Sequence, residues 1–174
     1  ELRDYQEDGV RFLLRLAAWD AGACLADDMG LGKTIQALAV LVARAGNGPA
    51  LVIAPTSVVP NWLAEANRFA PTLNVRIYGG AERGTVLDSL ARGDLLLASY
   101  GLLTQDIERF AKVEFATLVL DEAQAIKNPA TQRAQAVRAL QAQFRIATTG
   151  TPIENHLGEL WSLFRVLNPG LLGS

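Results

Sequence analysis

Ala23-Cys24-Leu25-Ala26-Asp27-Asp28-Met29-Gly30-Leu31-Gly32-Lys33-Thr34-Ile35-Gln36 is an apolar run, then an acidic turn bearing two glycines, then the opening of a helical pattern. Glycine lets a backbone curl with its amides facing inward, and the start of a helix adds partial positive charge. Lys33 can reach the outer phosphates of a group held there, and Thr34 can offer its hydroxyl to Mg2+. The stretch reads as a phosphate cradle formed by Asp28, Met29, Gly30, Leu31, Gly32, Lys33 and Thr34. It departs from the G-x-x-x-x-G-K-[ST] form, because Asp27 stands where the first glycine belongs. The competing reading is a glycine-rich turn that ends in a solvated lysine.

Outward from this stretch, short β-like runs alternate with longer segments of helical period. Residues 23–26, 50–54, 75–78, 95–98, 117–120 and 144–148 are nearly continuously apolar, as expected of strands covered on both faces. Between them, Ile35, Leu38, Leu41 and Val42 mark one helix face, and Trp62, Leu63, Ala66 and Phe69 mark another, which Pro71 stops. Leu2, Tyr5, Phe12, Leu13 and Leu16 repeat the pattern at the beginning. Such alternation implies parallel pairing, because each crossover returns the chain in the same direction. The expected fold is α/β in three layers, a mostly parallel central sheet with helices on both faces. Ligands of such sheets bind at the carboxyl ends of the strands.

The 174 residues argue for one domain, 1–174. With 16 basic against 18 acidic side chains the net charge is −2, so phosphates cannot be held by bulk charge and any nucleic-acid contact must be local. Hydrophobic residues at 50% against 20% charged exclude a disordered chain. The single cysteine, Cys24, and the single histidine, His156, exclude an intrachain disulfide framework and a Cys/His zinc site, with a reducing compartment as the default. No apolar stretch approaches the roughly 20 residues of a membrane helix and no export signal opens the sequence, so a soluble cytoplasmic protein is expected. A start at Glu1 and a stop at Ser174 suggest a piece of a longer polypeptide.

A second piece of chemistry is Thr117-Leu118-Val119-Leu120-Asp121-Glu122-Ala123-Gln124, an apolar strand delivering two adjacent carboxylates. Asp121 would hold Mg2+ through water, and Glu122 would orient and deprotonate an attacking water, which is a weak nucleophile unaided. The alternative is a solvated pair of turn acids.

With Thr149-Gly150-Thr151-Pro152-Ile153-Glu154-Asn155 and Leu160-Trp161-Ser162-Leu163, these segments resemble the successive helicase motifs of the Swi/Snf family of DNA-dependent ATPases. That family also opens its loop with an acidic pair, which accounts for Asp27. The resemblance runs from Leu2 to Ser174 and implies a RecA-like P-loop NTPase fold, the first of two lobes, with ATP and Mg2+ as cofactors. It implies catalytic roles for Lys33, Asp121 and Glu122, Mg2+ at Thr34 and Asp121, and an adenine-reading Gln6, which by composition alone is a polar residue on a wet helix face. It implies nucleic-acid contacts at Pro55, Thr56, Ser99 and Tyr100, with Thr56 also readable as a helix cap. Thr149, Gly150 and Thr151 would relay the γ-phosphate state, coupled to the acidic pair by a hydrogen bond from Gln124. Lys127 and Asn128 match a family pair, or are solvated residues before a helix led by Pro129. His156 is read as structural, and Trp62, Trp161, Phe69 and Phe164 as core.

The implied partners are duplex DNA, reached through the parent protein, and the second lobe of the same polypeptide; no membrane is implied. The implied location is the cytoplasm, on the nucleoid in a bacterium, or the nucleus in a eukaryote. Without the arginines of the second lobe, this lobe is expected to hydrolyse ATP barely at all. The rival readings are an RNA helicase, a small-molecule kinase built on the same loop, and a non-enzymatic scaffold.

Overall fold

The computed structural model describes residues 2–26, 32–150 and 157–170, with side chains throughout except at 82 and 157–160. Six strands, β1 (Ala23–Ala26), β2 (Ala50–Ala54), β3 (Asn74–Ile77), β4 (Asp94–Ser99), β5 (Glu114–Leu120) and β6 (Gln141–Thr149), form one sheet in the order β1-β6-β5-β2-β4-β3. Every pairing is parallel. The helices are α1 (Asp4–Ala18), α2 (Lys33–Arg44), α3 (Val59–Phe69), α4 (Tyr100–Gln105), α5 (Ile107–Phe110), α6 (Gln132–Ala139) and α7 (Leu157–Leu167). The expected three-layer parallel fold is the observed one.

Period-two alternation sorts the strand side chains into two cores. Val52, Leu95, Leu97 and Ile146 face α1, α2 and α3, meeting Leu13, Leu38, Leu41 and Trp62. Leu51, Leu96, Leu118 and Leu120 face the other way, towards Leu103 of α4, Phe110 of α5, Val137 of α6 and Leu163 of α7. The central strands β2 and β4 are buried along their whole length, whereas the edge strands β1 and β3 are partly open, against the expectation that every strand is covered on both faces. β3 is displaced by one residue, leaving Tyr78 just beyond it, and β4, β5 and β6 extend past the apolar runs into polar ends.

Several helix faces differ from their apolar markers. α2 buries Gln36, Ala37, Leu38, Val40 and Leu41, while Val42 is exposed and Ile35 half-buried: small residues let this helix approach the sheet closely. Tyr5, Phe12 and Trp19 are all exposed beside the buried face of α1. Of the four aromatic residues expected in the core, Trp62 is there, but Phe69, Trp161 and Phe164 are 46%, 53% and 41% exposed. Apolar spacing marks the side of a helix, not how far its neighbours reach around it. The helix after Lys127 begins at Gln132, capped by the Thr131 hydroxyl, which accepts the Ala134 N–H at 3.2 Å. Pro129 lies before that cap and does not lead the helix, since Asn128 turns the chain first by accepting the Ala130 N–H.

Candidate nucleotide and metal site

The sheet order makes neighbours of β1, β6 and β5, so three separate stretches of sequence end side by side. β1 leads towards Lys33 and Thr34, β6 ends at Thr148 and Thr149, and β5 hands over to Asp121 and Glu122. A cavity of about 380 Å³ is lined by Lys33, Thr34, Asp121 and Glu122, with Asn61 and Glu65 of α3 on its wall. These four sequence-predicted residues therefore share one pocket at the carboxyl ends of the strands.

Gly32 starts α2 at φ 81°, a backbone region that glycine adopts without strain. A Cβ there would also lie 2.3 Å from Gln6 Nε2, so the glycine makes room for this amide. Gln6 is buried, not on a wet face, and its Oε1 accepts the Arg3 N–H at 2.9 Å. The Nε2 end of the carboxamide thus lies against the start of the lysine helix. Asp28, Met29, Gly30, Leu31, Thr151 and His156 lie outside the described residues.

Asp121 is held from several elements. The Glu122 N–H donates to its Oδ1 at 3.0 Å, and so does the Thr148 hydroxyl, brought alongside by the pairing of Leu120 with Ala147. The Trp62 indole N–H donates to Oδ2 at 2.8 Å. The Asp121 backbone N–H donates to Ile53 O and the Asp121 carbonyl accepts the Tyr100 hydroxyl, both at 2.8 Å. Among the described residues no group of three or more His, Cys, Asp or Glu could hold a metal alone. One hydroxyl and one carboxylate on a cavity wall suit a magnesium ion that arrives with phosphates and keeps several waters.

Glu122 adopts φ 51°, ψ 55°, a left-handed conformation uncommon for a residue with a side chain and costing about 1–3 kcal/mol. Gln124 Nε2 donates to Glu122 Oε2, and the Thr149 hydroxyl donates to Gln124 Oε1 at 3.1 Å. The hydrogen-bonded bridge expected at Gln124 is present, running from the acidic pair to the end of β6, next to Gly150.

The expected nucleic-acid contacts separate. Pro55 and Thr56 form the turn before α3, with Thr56 exposed. Thr56 does not cap that helix: the cap position is Val58, without a side-chain bond, because Pro60 opens the first turn. Ser99 caps α4, accepting the Leu102 N–H at 3.2 Å. Tyr100 is 2% exposed and its hydroxyl is committed to the Asp121 carbonyl, so that hydroxyl is turned away from any strand at the surface. Burial first, then the charges of Asp121 and Glu122, raise its pKa and keep it a neutral donor. The supports from Trp62, Tyr100 and Thr148 went unrecognised in the sequence; the available signal was that a buried indole or phenol needs a polar partner.

Against known proteins, residues 5–174 match the family described as the SNF2-related domain. A Bacillus subtilis protein, YwqA, bearing the name of an ATP-dependent helicase/translocase, is 47% identical over 180 residues, covering 99% of this chain and 20% of that protein. The chromatin-remodeling ATPase INO80 of Arabidopsis thaliana is 40% identical over 185 residues, 98% of this chain and 12% of that protein. The Sulfolobus solfataricus SWI2/SNF2 ATPase core solved in complex with dsDNA superimposes with a TM-score of 0.91 at 44% identity, covering all of this chain and 37% of that one. The chain thus spans a fifth or less of the length of these two full-length relatives. Motif order, fold and an alignment spanning nearly the whole chain agree, and the chain belongs to the SNF2-related family of SWI2/SNF2 ATPases.

Proposed function

We propose that this chain is the ATP-binding first lobe of a Swi/Snf-type DNA-dependent ATPase, coupling ATP hydrolysis to movement along duplex DNA or remodelling of protein–DNA complexes. The observation that carries the reading is the shared cavity of Lys33, Thr34, Asp121 and Glu122. Lys33 would neutralise the outer phosphates, and Thr34 and Asp121 would hold magnesium, which supplies charge stabilisation at the transferring phosphoryl group. Glu122, with its backbone in a strained conformation and its carboxylate held by Gln124, would orient water and take its proton. Through Gln124 the state of that carboxylate would reach Thr149 and the chain beyond. Gln6 would read adenine, and the Pro55–Thr56 turn would touch the DNA backbone, a contact independent of sequence.

Two lobes complete the site in this reading. The second, from the same polypeptide, would supply arginines to the γ-phosphate, and their absence costs on the order of 10³–10⁵ in turnover. The test is the ATPase rate of the complete polypeptide with duplex DNA, with RNA and with neither, beside Glu122→Gln and the 174-residue chain alone. Duplex DNA should raise the rate, Glu122→Gln should lower it by about 10²–10⁴, and the isolated chain should be nearly inactive. Stimulation by RNA alone would favour an RNA helicase. Phosphoryl transfer to a nucleoside acceptor would establish a kinase, and no hydrolysis with either nucleic acid would leave the scaffold reading.

A further inference from the structure

Trp62 is 1% exposed in α3, and a buried indole N–H needs an acceptor. Its acceptor is the carboxylate of Asp121, 59 residues further along the chain, at 2.8 Å. A carboxylate offers about four acceptor positions, and the indole, the Glu122 N–H and the Thr148 hydroxyl occupy three of them. The carboxylate is therefore fixed from two sides, by α3 and by β6, with about one position left for what the cavity holds.

Trp62 lies in the first turn of α3, which grows directly from the turn at Pro55, whose carbonyl accepts the N–H groups of Val58 and Val59 at 2.8 and 3.3 Å. One short helix thus joins an exposed turn at the carboxyl end of β2 to a carboxylate at the carboxyl end of β5. A ring serving only to fill the core would need no donor here.

We propose that Trp62 is a positioning residue, its indole N–H setting the Asp121 carboxylate for magnesium and carrying displacements of the Pro55–Thr56 turn to it. The inference rests on the function proposed above and adds the link between the DNA-facing turn and the metal-facing carboxylate. A shift of α3 by a few tenths of an ångström would lengthen this hydrogen bond, whereas Thr148 would hold the other oxygen in place.

In the complete polypeptide, Trp62→Phe keeps an aromatic ring and removes the donor. With duplex DNA, kcat should fall about tenfold, KM for ATP should stay within about twofold, and half-saturating Mg2+ should rise several-fold. Unchanged kcat and Mg2+ dependence, with Lys33→Ala still abolishing hydrolysis, would overturn the inference and leave the function standing. If the wild-type polypeptide hydrolyses no ATP on DNA, the function falls and the positioning role falls with it.

A second measurement leaves Trp62 intact, in case the substitution prevents folding. In the 15N-tryptophan-labelled 174-residue chain, the indole of Trp62 is the solvent-protected one, since Trp19 and Trp161 are 78% and 53% exposed. Asp121→Asn replaces a charged acceptor by a neutral one, so this N–H resonance should move and exchange faster. A resonance that does not respond would refute the contact and the proposal.

Discussion

Arg145 is 4% exposed within β6, although charged residues are rarely buried without a partner. No carboxylate among the described residues forms an ion pair with it. Its guanidinium donates to the carbonyls of Val137, Leu140 and Val166 at 3.3, 2.5 and 3.2 Å, closing the carboxyl ends of α6 and α7 where helix carbonyls lack partners. Burial lowers its pKa from the ordinary arginine value. Arg145→Met would take the donor from the Leu140 and Val166 carbonyls, Val137 keeping the Leu140 N–H at 3.3 Å, and Arg145→Lys would keep the charge but lose the fork. Each should cost about 2–4 kcal/mol, read as a lower denaturant midpoint at unchanged slope. At this scale legibility divides by range. Lys33, Thr34, Asp121 and Glu122 could be read because their chemistry sits in contiguous motifs. Arg145, Trp62 and Tyr100 could not be assigned their parts, because the groups they bond are supplied by strand register or by distant helices. A charge inside the apolar run 144–148 was the one local sign that such a bond existed.

The short elements after β3 show what holds irregular chain in place. Asp106, between α4 and α5, accepts the Tyr78 hydroxyl at 2.6 Å and the Arg83 Nε–H, and Arg109 donates to Arg83 O and Gly84 O. The 3₁₀ turn Gly80–Gly84 is thereby pinned to the α4–α5 corner. The hydrogen bond from Arg83, ahead of that from Tyr78, lowers the Asp106 pKa below its ordinary 3.8. A carboxyl with a depressed folded-state pKa stabilises fully above its unfolded value, and that contribution disappears as pH falls through the folded value. Melting curves of wild type and Asp106→Asn should therefore differ above about pH 4 and converge below it. A gap that persists unchanged at pH 2 would contradict the ionic part of this account. None of this corner was legible in advance: periodicity announces long helices and buried strands, and here a 3₁₀ turn and a four-residue helix carry too few residues for a period. α1, α2 and α3 are long enough to show a period and were located, while parts of their buried faces were misjudged because a period does not say how far the neighbours reach around a helix.

Across the whole molecule, alternating strands and helices were enough to require a parallel sheet, but not to order it. That order is fixed by which crossovers return to which edge, and it places β6 between β1 and β5, where Thr148 can meet Asp121. The sheet is closed at β1 by contacts between the two ends of the described chain. The Gly22 N–H donates to Asn168 Oδ1 at 2.7 Å across 146 residues, and a Cβ on Gly22 would lie 2.3 Å from the Leu167 carbonyl oxygen. That obstacle is backbone at the end of α7, so relief requires moving either the helix or the edge strand that leads to the nucleotide loop. Gly22→Ala should cost about 2–3 kcal/mol, lowering Tm by roughly 4–12 °C. Gly46, with nothing within 4 Å of its Cβ position, is the matched control, and Gly46→Ala should stay within about 0.5 kcal/mol of wild type. Asn168→Ala removes the acceptor without adding bulk, so its effect and that of Gly22→Ala should combine less than additively if both act on one junction. Full additivity in thermal melts of the double variant would mean that β1 and α7 are secured independently, and the close approach at Gly22 would then be a local fit and not the closure of the sheet.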